Sequence, residues 1–177
     1  EMGVSAVVLP GGEIVPALER GVVDAVEWTT PATDILLGFH NVAKYLVMPS
    51  IRQPLTGNEL LINRKKWDAL PADLKAIVQN ALLAQIPIAM ATDYTEAATV
   101  FHDLGPKYGV QVITTPRDVL EAEIKATEKV LEAQSQKNPS FARILKHQRD
   151  FAAKVATYND RIRPPYSSVV KHYFGKK

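Results

Sequence analysis

Residues 4–31 read VSAVVLPGGEIVPALERGVVDAVEWTTP, and two periodicities alternate along them. Val4 to Leu9 is apolar and β-branched and ends at Pro10-Gly11-Gly12, which predicts a strand and a tight turn. Glu13 to Arg20 places Ile14, Ala17 and Leu18 at helical spacing and stops at Gly21, a good residue to follow a helix end. Val22 to Trp28 predicts a second strand. Thr30-Pro31 then supplies a cap and a first helical residue for a helix running to Gly38. Further strands are expected at Ala43 to Met48, Glu59 to Ile62 and Val110 to Thr114. Strand and helix in this rhythm predict an α/β layer.

Outside the layer the pattern is helical. Asn63 can cap a short helix carrying Trp67. Pro71 opens a much longer one, expected to end near Leu104 before Gly105-Pro106 and to be kinked or split at Pro87, which lacks a backbone donor. Pro116 starts a helix with Val119, Leu120, Ile124, Val130 and Leu131 on one side. Pro139 starts another, whose apolar positions at 141, 144, 145, 151, 152, 155, 158 and 162 approach a coiled-coil seam. Three segments are expected: an α/β segment over residues 1–55, a return crossing with the long helix over 56–115, and carboxyl-terminal helices over 116–177.

Several chemistries are excluded or unsupported. The 21 basic and 19 acidic residues leave a net charge of +2, with no electrostatic footprint for nucleic acid. The absence of cysteine removes thiolate zinc sites, disulfides and thiol nucleophiles. No apolar run approaches the ~20 residues of a membrane span. His40, His102, His147 and His172 share no metal-binding spacing, and no serine or threonine sits in a nucleophile elbow. An α/β enzyme therefore has no support. Gly11-Gly12 before a helix could cradle a phosphate, but neither GxGxxG nor a P-loop lysine is present, and a tight turn is the better reading.

The segment Asp24-Ala25-Val26-Glu27-Trp28 is more informative. It sets a carboxylate and an indole at the carboxyl end of a predicted strand, where open α/β sheets bind ligands. Glu27 there can hold a cation, cap the next helix or face water.

The ordered set formed by Pro10 to Gly21, Val23 to Trp28, Pro31, Asp34, Gly38-Phe39, Ala43-Lys44-Tyr45, Pro49, Leu61 to Asn63 and Trp67 to Pro71 resembles the signature of DctP-type solute-binding proteins of TRAP (tripartite ATP-independent periplasmic) transporters. The resemblance implies an α/β fold, part of a two-lobe periplasmic-binding-protein architecture (type II-like), followed by long carboxyl-terminal helices. It also implies a periplasmic, non-enzymatic protein that hands a small organic acid to TRAP membrane permease subunits. The Glu-Trp form is similar to the subgroup that binds 2-oxo and 2-hydroxy monocarboxylates, such as pyruvate or lactate, together with a sodium or calcium ion. By that likeness Glu27 coordinates the cation and Trp28 contributes its backbone carbonyl. A second acidic ligand of the family would fall near Gln53, 26 positions after Glu27, where this chain carries an amide that can still ligate without charge. Glu27, Trp28 and Gln53 are thus the expected ligand-binding and metal-holding set. Family members are about twice as long, and the arginine that pairs their ligand carboxylate matches none of Arg20, Arg52 and Arg64. The subgroup is similar to proteins that dimerise through long carboxyl-terminal helices, so the 139–162 helix is the expected homodimer contact. The competing reading is a helix-mediated interaction protein with no ligand.

Overall fold

The computed structural model describes residues 2–51 and 59–175. Two compact units divide the chain: one spans Gly3–Glu121, and the other begins at Ala122. The first unit opens with α1 (Gly11–Glu19), α2 (Pro31–Leu37) and α3 (Phe39–Val42). It continues through β1 (Tyr45–Met48), α4 (Arg64–Asp68), α5 (Ala72–Asp103) and β2 (Gln111–Thr114).

The helix boundaries follow their local signals. Thr30 accepts a hydrogen bond from the Thr33 amide, Pro31 occupies the first turn of α2, and the Thr33 side chain returns a bond to the Thr30 amide. Gly38 ends α2 at φ 87°, a left-handed conformation in which any side chain is strained. Asn63 caps α4 by accepting from the Lys66 amide. α5 runs 32 residues without interruption and is not split at Pro87. Proline forfeits one backbone bond there, a loss that a helix of this length absorbs.

The strands correct the expectation. Of the five predicted, only Ala43–Met48 and Val110–Thr114 pair, as β1 and β2, in a parallel register that sets Tyr45 opposite Gln111 and Met48 opposite Thr114. Val4–Leu9, Val22–Trp28 and Glu59–Ile62 form no strand ladder among the described residues. A β-branched run becomes a strand only beside a hydrogen-bonding neighbour, and these runs have none there. Val8 is accordingly 100% exposed.

Ala17, Phe39, Leu104 and Val110 are the buried apolar side chains among the described residues. Ala17 and Phe39 lie where α1 packs on α3, and α2 packs on α5. Complete burial of a side chain the size of Phe39 contributes about 2–3 kcal/mol. α5 itself has no buried residue. By length and composition it could also cross a membrane. The expectation of no such segment counted uninterrupted apolar runs, whereas the apolar residues of α5 are interrupted by polar ones.

The second unit holds most of α6 (Arg117–Lys137), with α7 (Pro139–Ile162) and α8 (Tyr166–Phe174). Asn138 turns the chain between α6 and α7, accepting bonds from the Ser140 and Phe141 amides at 3.0 and 3.1 Å. Arg149 reaches back from α7 to Glu128 of α6 at 2.7 Å. Phe141 and Leu145 of the expected seam are half-buried, whereas Phe151 and Tyr158 are each 63% exposed.

Candidate functional site

The acidic corner is built by the exit from α1 and the entry to α2. Gly21, at φ 66°, reverses the chain, and its amide bonds the Leu18 carbonyl while the Val22 amide bonds that of Ala17. The chain then leads through Glu27 and Trp28 to Thr30, whose φ of −127° and ψ of 156° are those of extended backbone. Thr29 and Thr30 both hydrogen-bond the Thr33 hydroxyl, which itself donates to the Thr30 carbonyl at 2.9 Å. This short-range network fixes the peptide that follows Glu27-Trp28.

Glu27 is exposed and Trp28 half-buried. The indole is tilted 41° to the ring of Phe39, centroid to centroid 6.5 Å. Its six-membered ring also lies close over the first turn of α1 at Gly11. Phe39 being buried, Trp28 is held between a helix turn and a fixed aromatic ring.

Asp34 completes the local electrostatics. Its Oδ1 is buried with no hydrogen-bond partner. Burial is the main cause that pushes its carboxyl up to about 6, opposed by a backbone hydrogen bond from Thr29 and reinforced by the charge of Glu27. Its place in the first turn of α2 favours the anion through the helix dipole, and burial outweighs that effect. The charge of Glu27 disfavours ionisation of Asp34, which also carries an orphaned oxygen, and a cation would relieve this region.

Oxygen donors of this type suit sodium and calcium. Glu27 offers a carboxylate and Trp28 a carbonyl, so the residues present fit a hard cation. Gln53, the third expected member, lies outside the described residues. The described residues contain no cluster of three or more His, Cys, Asp or Glu side chains able to hold a metal. The open groove between α2 and α5, about 370 Å³ and lined by Leu36, Thr95, Thr99 and Val100 among others, does not include Glu27 or Trp28. Its walls carry no charge constellation that would make it the better site.

Asp34 was legible only as part of a motif; its buried oxygen was not. Phe39 and Gly11, the residues against the indole, carried no signal of that contact, since neither shares a helical or strand period with Trp28.

The fold is that of the TRAP periplasmic solute-binding proteins. A protein of this class from Colwellia psychrerythraea, solved with bound calcium and pyruvate, superposes with a TM-score of 0.80 at 29% identity over 97% of this chain and 51% of its own. One from Pseudoalteromonas atlantica T6c, with bound sodium and pyruvate, gives 0.75 at 27% identity over 97% of this chain and 51% of its own. One from Bordetella bronchiseptica RB50, a mixed-occupancy dimer with calcium and picolinate in one active site, gives 0.74 at 27% identity over 93% and 48%. The profile of the DctP family, bacterial extracellular solute-binding protein family 7, matches residues 1–138, and the chain belongs to that family. A monocarboxylate 2-oxoacid-binding periplasmic protein of Nostoc sp. (strain PCC 7120) is 26% identical over 159 residues, which are 89% of this chain and 43% of the relative. The chain thus spans about half the length of the relatives it matches.

Proposed function

We propose that this chain is part of a periplasmic solute-binding protein that holds a small 2-oxo or 2-hydroxy monocarboxylate and a sodium or calcium ion between two lobes, delivers the acid to TRAP permease subunits, and catalyses nothing. The observation that carries the reading is the Glu27-Trp28 corner, an exposed carboxylate near the buried, unpartnered Oδ1 of Asp34, in a fold shared with proteins that bind pyruvate and a cation. Glu27 would ligate the ion through its carboxylate, Trp28 through its carbonyl and Gln53 through its amide oxygen. Relative to a second carboxylate, Gln53 removes one negative charge and lowers affinity for a divalent ion more than for a monovalent one.

α5 supports the two-lobe reading. Its composition is apolar enough for an interior, yet none of its side chains is buried among the described residues. The exposed end of the α7 seam supports a homodimer through the 139–162 helix, in line with the dimeric Bordetella protein.

The test is calorimetry of pyruvate binding to the full-length protein with and without calcium. Glu27→Gln removes the charge that holds the ion, and a loss of at least about tenfold in calcium-dependent affinity is expected. Unchanged affinity and unchanged metal dependence would refute the assignment.

A further inference from the structure

Gly11 sits at the first helical position of α1, and its φ lies outside the left-handed region. Backbone geometry therefore does not call for glycine there, and alanine would suit a helix better. What the position lacks is room. A Cβ on Gly11 would stand 3.1 Å from Cη2 and 3.6 Å from Cζ3 of Trp28, the first of these closer than ordinary van der Waals contact. At the neighbouring Gly12, a Cβ would meet nothing within 4 Å. The two glycines thus differ sharply in what they do.

Phe39 limits the room in which the indole can move. Phe39 stands on it at a centroid separation of 6.5 Å and is itself buried. Packed side chains transmit displacement instead of absorbing it. A methyl group at Gly11 would therefore displace Trp28, including the peptide it shares with Thr29, which carries its carbonyl. Ion–oxygen distances at hard-cation sites span only about 2.3–2.6 Å, so shifts of a few tenths of an ångström at a carbonyl ligand are felt.

We propose that Gly11 is a positioning residue: its missing side chain lets the Trp28 indole rest on the first turn of α1, and this contact holds the Trp28–Thr29 peptide, which carries the Trp28 carbonyl, where that carbonyl engages the ion. The proposal rests on the reading of that peptide as the ion site. It assigns the Pro10-Gly11-Gly12 turn a role in binding although it contacts neither ion nor acid.

The experiment is a double-mutant cycle in the full-length protein, with calcium affinity at saturating pyruvate measured by calorimetry and thermal midpoints recorded on the chelated, ligand-free protein. Gly11→Ala should lower calcium affinity about tenfold, as for other residues that orient a metal ligand, while the chelated protein keeps its midpoint. Gly12→Ala should leave calcium affinity unchanged. Trp28→Phe shortens the ring that Gly11 faces, and Gly11→Ala should then have no further effect. If Gly11→Ala fails to fold while the double variant folds, the clash lies in the indole and the proposal is supported. Unchanged affinity in Gly11→Ala, an equal loss in Gly12→Ala, an equal loss in the Trp28→Phe background, or failure of both Gly11 variants to fold would each overturn it. The two readings separate on Glu27→Gln: if that variant loses calcium affinity and Gly11→Ala does not, only this proposal falls. If Glu27→Gln is silent, the ion site itself is wrong and the proposal falls with it.

Discussion

Replacing Asp34 with asparagine should stabilise the protein at neutral pH and do nothing in acid. The carboxyl has an ordinary value of 3.8 and is pushed up to about 6, first by burial and then by the charge of Glu27. A carboxyl whose folded value lies above its unfolded one favours the folded state only while protonated. Its contribution is complete below the unfolded value and is lost as pH rises through the folded one. A shift of about two units corresponds to about 3 kcal/mol. Asp34 is only half-buried, and solvent screening reduces the expected effect to roughly 1 kcal/mol. Asparagine keeps the shape, keeps an oxygen to accept from the Thr29 amide with its NH2 group in place of the orphaned Oδ1, and cannot ionise. Urea denaturation of the chelated full-length protein and of Asp34→Asn, at about pH 4 and about pH 7.5, reads the difference directly. The curves should coincide in acid, and the variant should be more stable by roughly 1 kcal/mol at the higher pH. A variant destabilised equally at both pH values would refute the reasoning, because the carboxyl would then be making a favourable interaction in either form.

Two further outcomes follow from the second unit. Glutamate at both Phe151 and Val155 should convert a dimer to a monomer in sedimentation without altering pyruvate affinity; a wild-type protein that is monomeric and folded at about 100 μM would remove the basis for the α7 contact. Asn138→Ala should cost about 1 kcal/mol in denaturation, because two amides at the start of α7 lose their acceptor, and Asn138→Asp should restore most of it.

The parts of the fold that the sequence disclosed are those set by a few adjacent residues. Thr30-Pro31 and Asn63 each announce a helix start, because a cap needs only its own side chain and the next three amides. Gly38 announces a helix end for the same local reason. The extended runs were legible as extended but not as strands, since pairing is a property of two segments and their partners are not adjacent in sequence. β1 and β2, for example, meet across more than sixty residues of chain. In the site, Glu27 and Trp28 stood out as a motif. The contact of Trp28 with Phe39 and Gly11 did not, because it joins three elements through tertiary packing alone.

The exposed apolar surface and the acidic corner bear on one another. A cation held only by the corner of this chain would remain open to water, where its hydration competes well with a single carboxylate and a carbonyl. Closure by a second surface changes that balance, because excluding water strengthens the ion–oxygen attraction and the pairing with a bound carboxylate. The apolar faces of α5 and the unpaired run at Val4–Leu9 are the features that would hold such a second surface, through burial for the helix and through strand pairing for the run. The same exposure that leaves this chain poor in buried core therefore fits a site that becomes strong only when a second lobe closes over it. If the proposed function holds, an uncharged ligand at Gln53 would lower the intrinsic pull on the ion, and lobe closure would carry more of the hold on the acid than ligand charge.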